Sequence, residues 1–205
     1  MNPFNDARAT GDSFVLIEPQ PHPPVEVVRR RRLLDDFLKV DEVVLRVDGR
    51  EQRRLTLERG DSVAVLVHRL DDDVVLLTRQ LRHATLDNGP GWLVELPAGT
   101  MEPGELPEVC ARREVLEEIG YQVGRLDLIA NVYLSPGGSS ERVYLYYAPV
   151  RVADRVTAGG GVATEGECIE LVELPRSSIA AEIAERQVDD AKTLVALLWL
   201  AQRSD

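Results

Sequence analysis

Histidine and cysteine are scarce in this chain, and so is positive charge. Its three histidines, His22, His68 and His83, stand singly, and its two cysteines, Cys110 and Cys168, lie far apart without any CxxC spacing. That excludes a cysteine zinc site, and neither a histidine metal site nor a Ser-His-Asp centre has a local signature. The cysteine usage fits a reducing compartment, each thiol reading as a small reduced filler. Lys plus Arg number 24 against 35 for Asp plus Glu, and the net charge of -11 argues against a general nucleic-acid or membrane-surface binder. No early stretch joins a basic region to a signal-length apolar core, and the longest apolar run, Leu194 to Ala201, is too short to span a bilayer. A cytoplasmic location is expected, with neither nucleic acid nor membrane as partner.

What is present suffices for a globular protein: 205 residues at 44% hydrophobic content can build one sizeable core, or a core domain with a small appendage. Residues 1–24 are polar and without period, and read as a mobile or loosely docked arm. Short β-branched runs follow at Val25 to Arg32, Leu38 to Val47 and Glu51 to Glu58, with Asp48-Gly49 as a hairpin signal, so residues 25–59 read as an antiparallel meander. Arg29 to Arg32 read as a solvated strand end rather than a nucleic-acid patch, because strand side chains alternate faces and Asp35 and Asp36 follow. Residues 60–205 form the main body. Strands are expected at Ser62 to His68, Val74 to Gln80, Trp92 to Pro97, Leu126 to Leu134, Arg142 to Val150 and Cys168 to Leu174, where Pro175 ends the run. Helices are expected at Ser177 to Arg186 and Asp190 to Gln202. Strands interleaved with helices point to an α/β sandwich with a mixed sheet.

The stretch Gly99 to Tyr121, GTMEPGELPEVCARREVLEEIGY, organises the rest. A helix is expected from about Leu106, since Pro107 suits a first turn and Gly120 supplies a stop. At about 100° per residue, Glu114, Glu117 and Glu118 fall within roughly a 100° arc, while Ala111, Val115 and Ile119 face a sheet. Three adjacent carboxylates repel one another, so the arrangement calls for a cation, and hard divalent ions prefer oxygen ligands. The competing reading of this face is a solvated acidic helix with Arg112 and Arg113 as salt-bridge partners.

The spacing decides between them. From Gly99, five residues lead to Glu105, seven more precede Arg113-Glu114, and Glu117-Glu118, Ile119 and Gly120 follow. This resembles the Nudix box, with Tyr121 where an aliphatic residue is commoner. Thr78 to Arg82, Glu95 to Gly99, Ser135 to Gly138 and Glu173 to Pro175 are similar to landmarks of the nucleoside-diphosphate-sugar branch of the Nudix hydrolases. Gly159 to Val162 and Asp190 to Thr193 look most like GDP-mannose pyrophosphatases.

The resemblance implies a Nudix-type α/β/α sandwich and a Mg2+-dependent hydrolase, with Mn2+ as a substitute, that cleaves a nucleoside diphosphate sugar. GDP-mannose stands first as substrate and ADP-ribose second; a nucleotide-sugar sensor without turnover is the non-enzyme alternative. Glu114 and Glu118 are the first metal-ligand candidates, with Glu117 next, as ligand or catalytic carboxylate, and the carbonyl of Ala98 as a backbone oxygen. Glu105 either ligates or pairs with Arg113, and Gly99 keeps side-chain bulk away from metal or phosphate. On the glycine-rich loop the resemblance places Glu165 as general base and Glu167 as a further ligand, an assignment that can be swapped. Arg79, Arg82, Glu95 and Glu141 are the substrate-binding candidates, Arg142 is expected beside the same cleft, and a pair of salt bridges is the other reading of Arg79 and Arg82. In this branch the meander commonly crosses to a second subunit, so the resemblance implies a homodimer, which the strand edges of residues 25–58 by themselves only permit. Arg53 and Arg54 are read as solvent-facing, with the partner's pocket as the alternative.

Overall fold

β-Branched, arginine-rich runs form the first sheet of the computed structural model, which describes residues 22–162 and 168–203. Most of the expected N-terminal arm, and the loop acids Glu165 and Glu167, lie outside the described residues. β1 (Val25–Asp35), β2 (Lys39–Val47) and β3 (Arg50–Glu58) pair antiparallel in that order. The expected hairpin joins β2 to β3, with Asp48 and Gly49 at left-handed φ values of 48° and 72° between the paired Val47 and Arg50.

β1 continues past Arg32, so its arginines lie within the strand; they are exposed, as expected, but each is paired. Arg30 and Arg32 pair with Asp41, while Arg29, Arg31 and, from β3, Arg53 pair with Glu42. Asp41 and Glu42 are buried at 2% and 4% exposure, neighbours on opposite faces of β2, and burial of such acids is tolerated because cations meet each one. Arg53 stays largely exposed but is committed to Glu42, and Arg54 donates to Gln52 and to the Arg53 carbonyl.

The main sheet has seven strands: β4 (Ser62–Arg69), β5 (Val74–Leu81), β6 (Trp92–Glu95), β7 (Ala98–Thr100), β8 (Asp127–Tyr133), β9 (Arg142–Val150) and β10 (Glu170–Pro175). Its order is β10-β5-β4-β9-β8, with β6 added to β5 and β7 to β4. β4 and β9 run parallel and the other pairs antiparallel, making a mixed sheet.

β4 is apolar throughout its middle because it is covered on both faces. Val63, Val65 and Val67 pack with Ala111, Val115 and Ile119 of α1 (Pro107–Ile119). Ala64 and Leu66 pack in the opposite layer with Ile179 of α2 (Ile179–Ala184) and Ala196, Leu197 and Leu200 of α3 (Ala191–Ala201). Full burial of each such Val or Leu is worth about 1.5–3 kcal/mol. The result is an α/β/α sandwich.

Three element boundaries differ from expectation. The run Trp92 to Pro97 divides into β6 and β7 around Leu96-Pro97. β10 starts at Glu170 and includes Pro175, which an edge strand accepts because its missing N–H leaves no central ladder bond unmade. A 3-10 turn at Arg176–Ser178 replaces the beginning of the expected helix, leaving α2 six residues long.

Candidate active site

The site begins where two strands part. β4 pairs with β5 only from Val67 to Arg69; farther along, β6 takes the edge of β5 opposite Thr78 to Leu81, and β7 takes the edge of β4 opposite Ser62 to Ala64. Leu96-Pro97 crosses between them, its Pro97 carbonyl accepting from the Val65 amide at 2.9 Å. Glu95 and Ala98 are thereby set close together on separate strands. A cavity of about 700 Å³ opens beside them, and it is lined by the carboxylate face of α1.

α1 starts and stops as its sequence dictates. Leu106 is the N-cap, Pro107 the first helical residue, and Gly120 closes the helix at φ 79° with its amide on the Leu116 carbonyl. Glu105 does not line the cavity. Its carboxylate accepts from the Glu102 amide at 2.9 Å and from Arg113 Nε and Nη2 at 3.0 and 3.1 Å. The Arg113 guanidinium, against opposing desolvation, holds its pKa down at about 2. This geometry favours the structural of the two readings of Glu105.

Arg113 also reaches into the cavity, donating from Nη1 to Glu114 Oε1 at 2.7 Å and to Glu117 Oε2 at 3.1 Å. Glu105, Glu114 and Glu117 thus draw on one guanidinium, whose own pKa is raised, chiefly by Glu105. Glu114 and Glu118 are buried at 9% and 4% exposure. Glu118 Oε2 accepts the Ala98 amide at 3.1 Å, tying α1 to β7. A Cβ at Gly99 would overlap the Glu114 carboxylate, so only glycine leaves that acid its place. Burial pushes the Cys110 thiol up to about 12, in keeping with a reduced filler.

Among the described residues, no group of three or more His, Cys, Asp and Glu side chains is arranged as it stands to hold a metal ion. Arg113 lies between Glu114 and Glu117, and a cation entering there would take over its bonds. The donor chemistry nonetheless fits a hard divalent ion: buried carboxylates of Glu114 and Glu118, the adjacent Glu117, and a backbone cleared of side-chain bulk at Ala98-Gly99.

The opposite bank is a buried ion network. Glu95, 4% exposed, accepts from Lys192 Nζ at 2.6 Å on Oε1 and from Arg82 Nε at 2.7 Å on Oε2. Lys192 also donates to Asp190 at 2.9 Å. Asp190 caps α3 through the Thr193 amide at 2.9 Å and accepts the Thr193 hydroxyl at 2.6 Å, and that hydroxyl accepts the buried Leu96 amide at 2.9 Å. Both Glu95 oxygens are therefore occupied in orienting cations. Glu141 lines the third side, accepting from Ser62 Oγ at 2.9 Å and pairing with Arg59 at 3.6 Å.

The fold thus gathers Ala98, Glu114, Glu117, Glu118, Arg82, Glu95 and Glu141 around one cavity, and does not bring Arg79 there. Arg79 lies on β5 and pairs with Glu170 at 3.5 Å, whereas Arg82 follows the end of that strand and leads the 3-10 turn His83–Thr85. Arg142 does not line the cavity either; it pairs with Asp61. Phe37, Arg59, Gln80 and Lys192 line it without having been singled out. The sequence Asp190 to Thr193 was a landmark, and capping chemistry could have exposed its lysine; nothing periodic marks Phe37, which sits between β1 and β2 at 92% exposure.

The family model described as NUDIX domain matches residues 58–195. A GDP-mannose pyrophosphatase of Cronobacter sakazakii is 36% identical over 186 residues, covering 87% of this chain and 96% of that protein. One from Klebsiella pneumoniae is 38% identical over 172 residues, 83% of each. Among solved structures, one described as the crystal structure of ADP compounds hydrolase superposes with a TM-score of 0.72 over 90% of this chain and 95% of its own, at 18% identity. Its resemblance is one of fold. Family model, full-length relatives and sandwich architecture agree, and the chain belongs to the Nudix hydrolase family.

Proposed function

We propose that the chain hydrolyses the pyrophosphate bond of a nucleoside diphosphate sugar, GDP-mannose first, giving GMP and mannose 1-phosphate. The observation that carries this reading is the near full-length similarity to GDP-mannose pyrophosphatases, joined to a cavity with acids on one bank and a Lys-Arg pair on the other. Glu114, Glu118, Glu117 and the Ala98 carbonyl would hold Mg2+, or Mn2+ in its place, with Glu167 as a further ligand from outside the described residues. Such an ion supplies charge neutralisation for the phosphates and acidifies a water.

The chain's own residues do the rest. Among the described residues the cavity is lined by six glutamates against three arginines and one lysine, so without a cation it repels a diphosphate. Arg82 and Lys192, held by Glu95, present two fixed cations to the phosphates or the sugar, and Arg59 and Glu141 offer a polar wall for the sugar. Phe37 adds an aromatic face suited to a base. Water adds to one phosphorus, the bridging P–O bond breaks, and the proton passes to Glu165 as base, with Glu117 the other catalytic carboxylate.

Residues 25–59 are read as a dimerisation element and 60–205 as the catalytic domain. Val25, Val27, Leu33, Leu34 and Leu55 of the small sheet are exposed, and a second copy of the chain would cover them. The sheet meets the body through short links, Leu57 N–H to Gly138 O at 2.7 Å and Ser140 N–H to Leu57 O at 3.0 Å. No helix of the described residues is long and apolar enough to cross a membrane. The cytoplasmic location proposed rests on the cysteine usage, two free thiols, Cys110 buried and Cys168 exposed.

A panel of GDP-mannose, ADP-ribose, other sugar nucleotides and nucleoside triphosphates, assayed with Mg2+ and with Mn2+, tests the reading. GDP-mannose is expected to give the highest kcat/KM. ADP-ribose at the top would move the assignment to the second substrate, and binding without turnover would favour a sensor.

A further inference from the structure

The tract Gly159 to Gly161 has no part in the chemistry above, yet it is bound to the far end of the carboxylate helix. Helix C-termini leave carbonyls without intrahelical donors. Here the Gly160 amide donates to the Glu118 carbonyl at 2.8 Å and the Gly161 amide to the Glu117 carbonyl at 3.1 Å. Val156 and Thr157 donate to the Gly120 carbonyl at 2.8 and 3.2 Å, completing the last turn.

Three consecutive left-handed φ values, 70°, 108° and 82° at Gly159, Gly160 and Gly161, let successive amides aim at the helix end, a conformation L side chains rarely adopt. Close approach adds a second constraint at Gly159, where a Cβ would stand 2.6 Å from the Glu118 carbonyl oxygen and 2.7 Å from Ile119 backbone carbons. The chain then enters the cavity wall at Val162.

The bonded carbonyls belong to Glu117 and Glu118, two of the residues whose carboxylates line the cavity. We propose that Gly159, Gly160 and Gly161 are positioning residues: a backbone clamp that fixes the end of α1 carrying Glu117 and Glu118, whose carboxylates line the cavity, and sets Val162 in the wall beside them. Displacing the tract by one methyl group moves the same residues that present the carboxylates. The proposal rests on the metal-dependent reading of the site.

Mn2+ titration of the whole protein, followed by the electron paramagnetic resonance signal of free Mn2+ well below the melting temperature, tests it. Gly159→Ala is expected to raise the binding midpoint about tenfold, the size typical of lost support around metal ligands. Ile179→Val, a comparably small change in the opposite layer, is expected to lower the melting temperature and leave the midpoint where it was. Gly160→Ala serves where Gly159→Ala does not fold, because no atom lies within 4 Å of its added Cβ and only the φ of 108° opposes it. A folded variant of either kind with the parent's midpoint overturns the clamp. So does rapid amide exchange at Gly160 and Gly161 in the parent protein, where slow exchange in step with Gly120 is expected. A parent that binds no Mn2+ would instead overturn the metal reading itself, so the two failures are distinguishable.

Discussion

The buried acids of the small sheet and those at the carboxylate face of the cavity are compensated differently. In the small sheet Asp41 meets Arg30 and Arg32, and Glu42 meets Arg29, Arg31 and Arg53. The Arg32 and Arg53 contacts lower the two carboxyl pKa values against the opposing effect of desolvation. At α1, by contrast, Glu114 and Glu117 share the guanidinium of Arg113 with Glu105, which precedes the helix. Several arginines per acid make a finished structural network. Several acids per arginine leave negative charge for a divalent ion to meet, and that contrast separates the two kinds of burial better than exposure does.

The largest expected effect lies on the acid-rich side. Glu118→Gln removes a full charge while keeping a hydrogen-bond acceptor for Ala98, and it should lower kcat with Mg2+ by about 10²–10³. The folded state should be retained, as judged by the melting temperature without metal. Asp41→Asn should do the reverse: it removes the buried charge partner of Arg30 and Arg32, which keep only Glu58 and Asp35, lowers the melting temperature, and spares Mn2+ binding by the body.

A smaller effect is expected at the opposite bank. Thr193→Val strands the buried Leu96 amide and should cost about 1–3 kcal/mol in urea unfolding, with kcat/KM falling as Lys192 and Glu95 loosen. Smallest is the acid limb of stability. The Glu105 pKa is depressed from 4.5 to about 2 on folding, so its contribution is present above about 4.5 and is lost as pH falls toward about 2. Glu105→Gln should lower the melting temperature at neutral pH and flatten that limb; an unchanged limb would remove the Glu105–Arg113 pair from the account.

Much of the fold was legible because local signals agreed with tertiary packing. Pro107 and Gly120 bracket α1 as their backbone preferences require, and the unbroken apolar stretch of β4 reports burial on two sides. The glutamate spacing likewise brought Glu114, Glu117 and Glu118 to one cavity. What escaped depends on contacts between distant segments. The parting of β4 and β5 follows from where β6 and β7 attach, and no residue within β4 announces it. Lys192 enters the cavity because Asp190 caps α3 locally and Thr193 binds Leu96, a contact spanning nearly half the chain. Arg79 and Arg82 looked alike as cations, but Arg79 stays within β5 against Glu170 while Arg82, just past the end of that strand, turns to Glu95.

The central claim is that the cavity's carboxylate face is completed by a divalent cation, and binding of GDP-mannose with and without Mg2+, to a Glu165→Gln protein once it is found to lack turnover, or to Glu167→Gln if that one lacks it, tests it most directly. The account predicts calorimetric binding only when the ion is present, and loss of that binding when Glu114→Gln is added. Equally tight binding after complete chelation would contradict it.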